Sequence, residues 1–300
     1  MYLHNDRELF HDAINLTYSQ TGIIAQAIEK DYYVTLLLQL LSQKIPYIVF
    51  KGGTSLSKCH KIIRRFSEDI DITIDTLLSQ GQKKKVKQAI VDSATELGLT
   101  IKNLGETRSR RDYNRYVISY DSVLPLISNV LTPAVLLETS YTEVSFPTVL
   151  LPVHSYIGDM MEKESPNAID AYRLNAFKMK VQGMNRTLVD KVFAVCDYYL
   201  DGKVEKHSRH LYDIYKLLPL VPQDIAFEKL IKEVRLVRAQ TAICPSAAPE
   251  INVSELLTEI INKQIYKQDY EHLTMQLLEE PVSYHTAITA LEQITASRIF

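Results

Sequence analysis

The sequence predicts an α+β fold, with strands and helices interleaved through the first half and helices alone in the second. Three observations carry this expectation. Pro46-Tyr-Ile-Val-Phe50 is a short β-prone run closed by Gly52-Gly53. Glu68-Asp-Ile-Asp-Ile-Thr-Ile74 alternates strictly, so Ile70, Ile72 and Ile74 share one face of a strand and Asp69 and Asp71 share the other. Beyond about residue 155 the strand signals stop and apolar residues recur at helical spacing.

Residues 7 to 42 carry apolar positions at helical spacing, clearest at Leu36, Leu37, Leu40 and Leu41, and open the chain with one or two helices. After the strand at 46–50, Thr54 to Ile63 reads as a helix and 68–74 as a half-buried strand. Val86, Ile90, Ala94 and Leu97 mark an amphipathic helix over 82–97, followed by β-like stretches at 99–104, 115–121, 134–144 and 147–153. Helical patterns then cover 187–200, 207–218, 225–239, 254–278 and 283–297, with a loop of Pro and small residues at 241–252. The expected division is an α/β domain with N-terminal helices over residues 1–155 and a helical domain over 156–300.

Composition bounds the function. With 46% apolar and 23% charged residues in 300, the chain can bury a sizeable core and is no disordered or linker-dominated sequence. Lys and Arg number 34 against 36 Asp and Glu, so any contact with nucleic acid has to come from a local basic surface. Cys59, Cys196 and Cys244 lack a paired Cys-x-x-Cys spacing, which argues against a disulfide framework or a zinc-thiolate site. No apolar run approaches the roughly 18 residues of a membrane span, and the expectation is a cytoplasmic protein with no membrane partner.

The strongest chemical signal is Gly52-Gly53-Thr54-Ser55 opening a helix after one strand, followed by Asp69-x-Asp71 on the next. Two glycines let a backbone approach a phosphate, and a helix start offers unpaired N–H donors. Two aspartates two residues apart on a strand lie roughly 7 Å apart at Cα and point the same way, so both can reach a hard cation such as Mg²⁺ (or Mn²⁺). Either element alone is common, as a turn or a solvated strand face. Their combination in this order points to a metal-bound triphosphate.

Lys51-Gly-Gly-Thr-Ser-Leu56 followed by Arg65-Phe-Ser-Glu-Asp-Ile-Asp-Ile72 resembles the signature of the AbiEii/AbiGii-type nucleotidyltransferase toxins, a polymerase-beta-like branch related to the MenT-type toxins. Thr187-Leu-Val-Asp-Lys191 and Ser208-Arg-His-Leu-Tyr-Asp-Ile-Tyr215 resemble the family's later motifs, and the likeness spans residues 46 to 218. Two departures stand out: Gly-Gly-Thr-Ser replaces the Gly-Ser of the wider superfamily, and His210 stands where an Asp usually precedes Leu-Tyr-Asp. The resemblance implies a mixed sheet with flanking helices, an all-helical C-terminal domain completing the active site in a cleft, and Asp213 as an active-site aspartate. It also implies a third metal carboxylate on a neighbouring strand. Glu138, an acid inside the apolar run Val135-Leu-Leu-Glu, is the candidate, with Glu143 and Asp121 as rivals.

Lys191 is the sole cation between Leu188 and Leu200 on a nearly all-round apolar helix. A buried ammonium there needs an anion, either a triphosphate or Asp213; the alternative is a lysine reaching the surface. Asp213 could instead pair with Arg209 or Lys216 on its own helix. His210 is either a base or ligand or a surface residue. Arg108, Arg110, Arg111 and Arg115 interleave with Tyr113 and Tyr116, a mixture suited to binding RNA phosphates and stacking bases, or else a solvated hairpin. Lys83, Lys84, Lys85 and Lys87 are either a solvated face or a polyanion contact.

Transfer of a nucleoside monophosphate from an NTP to an acceptor is thus expected. Lys51, Gly52, Gly53, Thr54, Ser55 and Lys191 would seat the nucleotide, and Asp69, Asp71 and Glu138 would hold the metal. By resemblance the acceptor is the 3′ end of tRNA and the partner a cognate antitoxin. The alternatives are a nucleotide-binding protein acting through a protein partner, and transfer to a protein or small-molecule hydroxyl.

Overall fold

The computed structural model describes the chain from residue 1 to 300 except Phe66, Glu68, residues 126–130 and Ala242, and describes the backbone alone of Glu143. The chain divides into two compact units, residues 1–59 with 67–181, and residues 60–66 with 182–300.

In the first unit, seven strands among the described residues form one mixed sheet. They are β1 (Ile48–Lys51), β2 (Ile70–Ile74), β3 (Thr100–Ile101), β4 (Tyr113–Ser119), β5 (Ala134–Val144), β6 (Thr148–Val153) and β7 (Phe177–Gln182), in the order β3-β4-β5-β2-β1-β7-β6. β1 pairs antiparallel with β2 and parallel with β7. β2 pairs parallel with β5, and β4 pairs antiparallel with both β3 and β5. As the alternation requires, Ile70, Ile72 and Ile74 are buried, together with Phe50, Val135 and Leu137. Each such side chain contributes about 1.5–3 kcal/mol relative to leaving it in water.

The helices of this unit are α1 (Arg7–Thr21), α2 (Ala25–Lys44), α3 (Gly52–Lys58), α4 (Gln80–Glu96), α5 (Tyr156–Glu164) and α6 (Pro166–Ala171). The leucine stripe on α2 is wider than its spacing predicts: Tyr32, Tyr33, Val34 and Leu38 are buried along with Leu36, Leu37, Leu40 and Leu41, so the helix is enclosed on most sides. Helix α4 starts two residues before its expected boundary because Ser79 and Gln82 form a capping box. Helix α3 ends at Lys58, short of the expected Ile63, and Lys61 takes a positive φ of 55° that no α-helix accommodates.

The division expected at residue 155 falls inside this unit. Helices α5 and α6 and strand β7 follow it, and β7 joins the sheet beside β1 through the pair Phe50 and Val181. Its signal is a six-residue alternation in which Met179 and Val181 are buried while Lys178 and Lys180 are not. The ammonium of Lys180 pairs with Asp75.

The second unit holds α7 (Met184–Leu200), α8 (Arg209–Leu217), α9 (Ile225–Arg238), α10 (Val253–Asn262) and α11 (Tyr284–Ser297). The single helix expected over 254–278 is broken after Asn262, where Gln264 has φ 50°, and resumes at Lys267 as short pieces around a π-helical turn at Tyr270–Thr274. The loop at 241–252 is pinned to α7. Ser246 donates to Asp197 from its backbone N (2.8 Å) and its hydroxyl (2.6 Å), and Arg238 Nη2 reaches the same carboxylate at 2.8 Å. Residues 60–66 belong here through Arg64, whose N–H donates to the Tyr212 hydroxyl at 3.1 Å and whose carbonyl accepts from Glu279 N at 3.0 Å. Among the described residues no helix is long and apolar enough to cross a membrane.

Candidate active site

The first unit builds its site where β1 ends. The chain leaves Lys51 and turns into α3 at Gly52 with φ +80°. A Cβ at Gly52 would overlap Asp71 Oδ2 and lie 2.8 Å from the carboxyl carbon. The Asp71 carboxylate therefore packs directly on the glycine backbone, and residue 52 has to be glycine for its dihedral and for its neighbour alike. The antiparallel register, which pairs Lys51 with Asp71, makes the contact inevitable. Behind the turn, Ser55 is fully buried and donates to Gly52 O at 2.9 Å, while buried Thr54 shares a 2.9 Å hydrogen bond with Ser67. Lys51, Gly52 and Gly53 stay partly exposed, so the exposed part of the motif is its backbone and its lysine, and the two hydroxyls shape the turn.

Asp71 is also paired with Glu138 across β2 and β5, and Glu138 with Arg115 across β5 and β4. Paired residues on neighbouring strands point to the same face. Lys51, Asp71, Glu138 and Arg115 thus form a row across four strands. Arg115 Nε lies 3.6 Å from Glu138 Oε1. Tyr113 stands on this face too; burial and then Glu138, by charge and by accepting its hydrogen bond, push the phenol well above its usual range, so it remains a donor. Of the rivals to Glu138, Asp121 lies past the end of β4 in a 2.7 Å pair with Arg7, and the side chain of Glu143 lies outside the described residues.

Asp69 lies two residues ahead of Asp71. Its Oδ1 is buried and has no hydrogen-bond partner among the described residues. A buried carboxylate oxygen without a partner is costly, and a hard cation removes that cost, so these residues fit a divalent ion such as Mg²⁺. The ligand atoms of Asp69, Asp71 and Glu138 are not gathered within 4.8 Å of one another; among the described residues only His154, Asp159 and Glu162 are.

In the second unit, Lys191 and Asp213 meet. Lys191 Nζ lies 2.5 Å from Asp213 Oδ2, both side chains being buried. The expected surface pairs of Asp213 with Arg209 or Lys216 are replaced by Arg65, whose Nε and Nη2 grip the two carboxylate oxygens at 2.7 Å each. Nothing in the sequence around Arg65 signals this part; only the fold brings it 148 residues along the chain to Asp213. Burial opposes ionisation of Asp213, yet Arg65 and then Lys191 outweigh it and hold the carboxyl well below the usual range. Burial lowers the Lys191 ammonium, with Asp213 opposing. His210 is half-buried, and its buried Nδ1 has no hydrogen-bond partner among the described residues. It stacks on Tyr198 at 5.7 Å between ring centres, and burial, then Lys191, keep it neutral.

The basic stretch separates into parts. Arg108 and Arg111 hydrogen-bond carbonyls of their own loop, at Thr107 (2.9 Å) and Glu106 (3.1 Å). Arg110 is exposed, and Arg115 belongs to the carboxylate face. Tyr116 is a core residue and unable to stack a base, whereas Tyr113 is half exposed. Lys83 reaches Asp112 at 2.5 Å and Lys87 the Thr107 carbonyl at 2.9 Å; Lys84 and Lys85 are exposed.

A glycine turn packed against one of two strand aspartates, with a further acid alongside, is an arrangement suited to a metal-bound nucleoside triphosphate. A family model described as "Nucleotidyl transferase AbiEii toxin, Type IV TA system" matches residues 35–293, and the chain belongs to that family. No curated protein matches. Among solved structures the chain is similar to MenT4, a nucleotidyltransferase toxin from Mycobacterium tuberculosis H37Rv, with 16% identity, a TM-score of 0.52, and coverage of 97% of this chain and 89% of that one. At that identity the likeness establishes the fold.

Two outcomes follow from this geometry. Gly52→Ala should lose at least about 1 kcal/mol to the left-handed strain alone and displace Asp71, so both melting temperature and nucleotidyl transfer should fall together. Asp213→Ala leaves Arg65 and Lys191 buried without a counter-ion and should cost about 3–5 kcal/mol in denaturant unfolding. Because the folded-state pKa of Asp213 is depressed, its contribution is complete above the ordinary carboxylate value of about 4 and is lost as pH falls below it. Asp213→Asn should remove that part of the acid dependence.

Proposed function

We propose that this nucleotidyltransferase moves a nucleoside monophosphate from an NTP onto the 3′ end of tRNA, and that a cognate antitoxin restrains it in the cytoplasm. The observation that carries the transfer reading is the contact of the Asp71 carboxylate with the Gly52 backbone, which joins a phosphate-approaching turn to a metal-binding acid. The tRNA acceptor and the antitoxin come from the family resemblance; the exposed cations Lys84, Lys85 and Arg110 support a polyanionic acceptor.

Asp69, Asp71 and Glu138 would hold Mg²⁺ or Mn²⁺. Such an ion, when bound, neutralises phosphate charge and makes an acceptor hydroxyl a better nucleophile at neutral pH. Gly52 and Gly53 present backbone to the triphosphate, and Lys51 and Arg115 bracket the acids with positive charge that the phosphates can share. Tyr113 donates to Glu138 and orients it. Lys191 takes the part its motif implies, a cation for the triphosphate, and Asp213 with Arg65 fixes its ammonium in place.

The decisive experiment incubates the protein with each labelled NTP, Mg²⁺ and total RNA or total protein. Label should enter RNA of tRNA size, and Asp69→Asn or Asp71→Asn should reduce transfer roughly 10²-fold or more with melting unchanged. Label in protein would overturn the RNA acceptor; near-normal transfer by either variant would overturn the metal assignment.

The division of the basic stretch gives a separate expectation. Lys84→Ala, Lys85→Ala and Arg110→Ala combined should weaken RNA binding and flatten its log–log salt slope by roughly 0.7–0.9 for each phosphate that is no longer neutralised, leaving NTP affinity unchanged. Arg115→Ala should instead weaken NTP use. Equal loss of both ligands in the triple variant would refute the separation.

A further inference from the structure

Apart from the carboxylate face, the first unit carries a second group of ligating side chains, at the junction of β6 and α5. His154 follows the last residue of β6, and Ser155 caps α5 by accepting from Gly158 N at 2.9 Å. Asp159 and Glu162, three residues apart, then fall on one side of the helix. One ligand atom from each of His154, Asp159 and Glu162 lies within 4.8 Å of the others.

The ring of His154 is held from outside the group. Its Nε2 lies 2.7 Å from the Leu174 carbonyl, which can only accept, so Nε2 carries a hydrogen. Its far side packs on Gly158, where a Cβ would come 2.6 Å from Cδ2; glycine at that helical position leaves room for the ring. Ligating histidines are oriented in the same way, by donating the second ring N–H to a carbonyl. Nδ1 faces Asp159 Oδ1 at 2.8 Å, and this hydrogen bond above all raises the pKa of the ring, so a proton on Nδ1 is what an ion would displace. A divalent ion in place of that proton would use all three groups at once. Lys58 is committed elsewhere, its Nζ bonding the His154 carbonyl at 2.9 Å and Asp31 at 2.6 Å.

We propose that His154, Asp159 and Glu162 form a binding site for a divalent transition-metal ion of the Zn²⁺ class, separate from the ion held by the aspartate motif. One nitrogen and two carboxylate oxygens suit Zn²⁺, with a water as fourth ligand, and are a poor set for Mg²⁺, which prefers oxygen alone. Ligand atoms around tetrahedral Zn²⁺ stand about 3.3 Å apart, a small opening from the 2.8 Å contact. The ring is nearly enclosed, the Asp159 side chain is half exposed and Glu162 is exposed, so the ion has a way in and its fourth position faces solvent. The ion would clamp the β6–α5 junction to the segment before β7.

The test titrates the full-length protein with Zn²⁺ against a chromophoric chelator and follows Co²⁺ absorption as a report of geometry. The expected result is one Zn²⁺ per chain, undisturbed by millimolar Mg²⁺, with a melting temperature that rises with Zn²⁺ concentration. Asp159→Asn and Glu162→Gln, on a half-exposed and an exposed side chain whose variants are first checked for an unchanged metal-free melting temperature, should each weaken Zn²⁺ by about tenfold or more, and Asp69→Asn should leave it unchanged. Absence of stoichiometric binding, displacement by Mg²⁺, indifference to Asp159→Asn and Glu162→Gln, or loss in Asp69→Asn would each overturn the proposal. Transfer activity enters none of these readouts.

Discussion

The Asp71 carboxylate occupies space that is open only because residue 52 has no side chain, and much of the first unit serves to keep those two residues in register. An antiparallel pair places Lys51 beside Asp71, so the turn that follows Lys51 must pass over the carboxylate. The turn can do so only in the left-handed region, at φ +80°, where an L side chain is strained. The opposite face of the same strand is Ile70, Ile72 and Ile74, buried under the helices. A slip of one residue in β2 would bury the acids and expose the isoleucines, so core burial fixes the position of the site.

Adjacent acids on neighbouring strands repel. At about 5 Å and an effective dielectric near 20, two carboxylates oppose each other by about 3 kcal/mol. In the row across the sheet this is offset at both ends, by Lys51 beside Asp71 and Arg115 beside Glu138. Asp69 adds a further carboxylate, one oxygen of which is buried and unpartnered among the described residues. The face is thus balanced except at Asp69, which is where the proposed divalent ion would have most to offset.

How much of this was legible in the sequence depended on whether the information was local. Strand β5 matches its expected span of 134–144, and β2 and β4 fall within two residues of theirs, because long alternations specify strands by themselves. The same alternation separates Tyr113 and Arg115 from Asn114 and Tyr116; treating Tyr113 and Tyr116 as one stacking pair overlooks that parity, and Tyr116 is core. Strand β7 is too short to stand out among helical patterns, though Met179 and Val181 carry its period. The adjacency of Glu138 to Asp71 depends on sheet order, and the grip of Arg65 on Asp213 on a long-range approach. No window of sequence contains either.

The buried set in the helical unit raises a different question, because burying ions is a poor way to gain stability. Well-packed apolar residues in place of a buried salt bridge are often neutral or stabilising, since the mutual attraction of the charges barely repays their desolvation. Two cations share the one carboxylate of Asp213, both of its oxygens bonded by Arg65 and one also by Lys191. Arg65 alone would satisfy that carboxylate with its planar fork. Lys191 is therefore in excess of what Asp213 requires, and burial already disfavours its charge. A lysine whose ammonium is desolvated, anchored on one side and surplus to its partner makes sense if a second anion completes it. That is the part the proposed triphosphate contact assigns to it, on a helix whose other buried positions are mostly apolar.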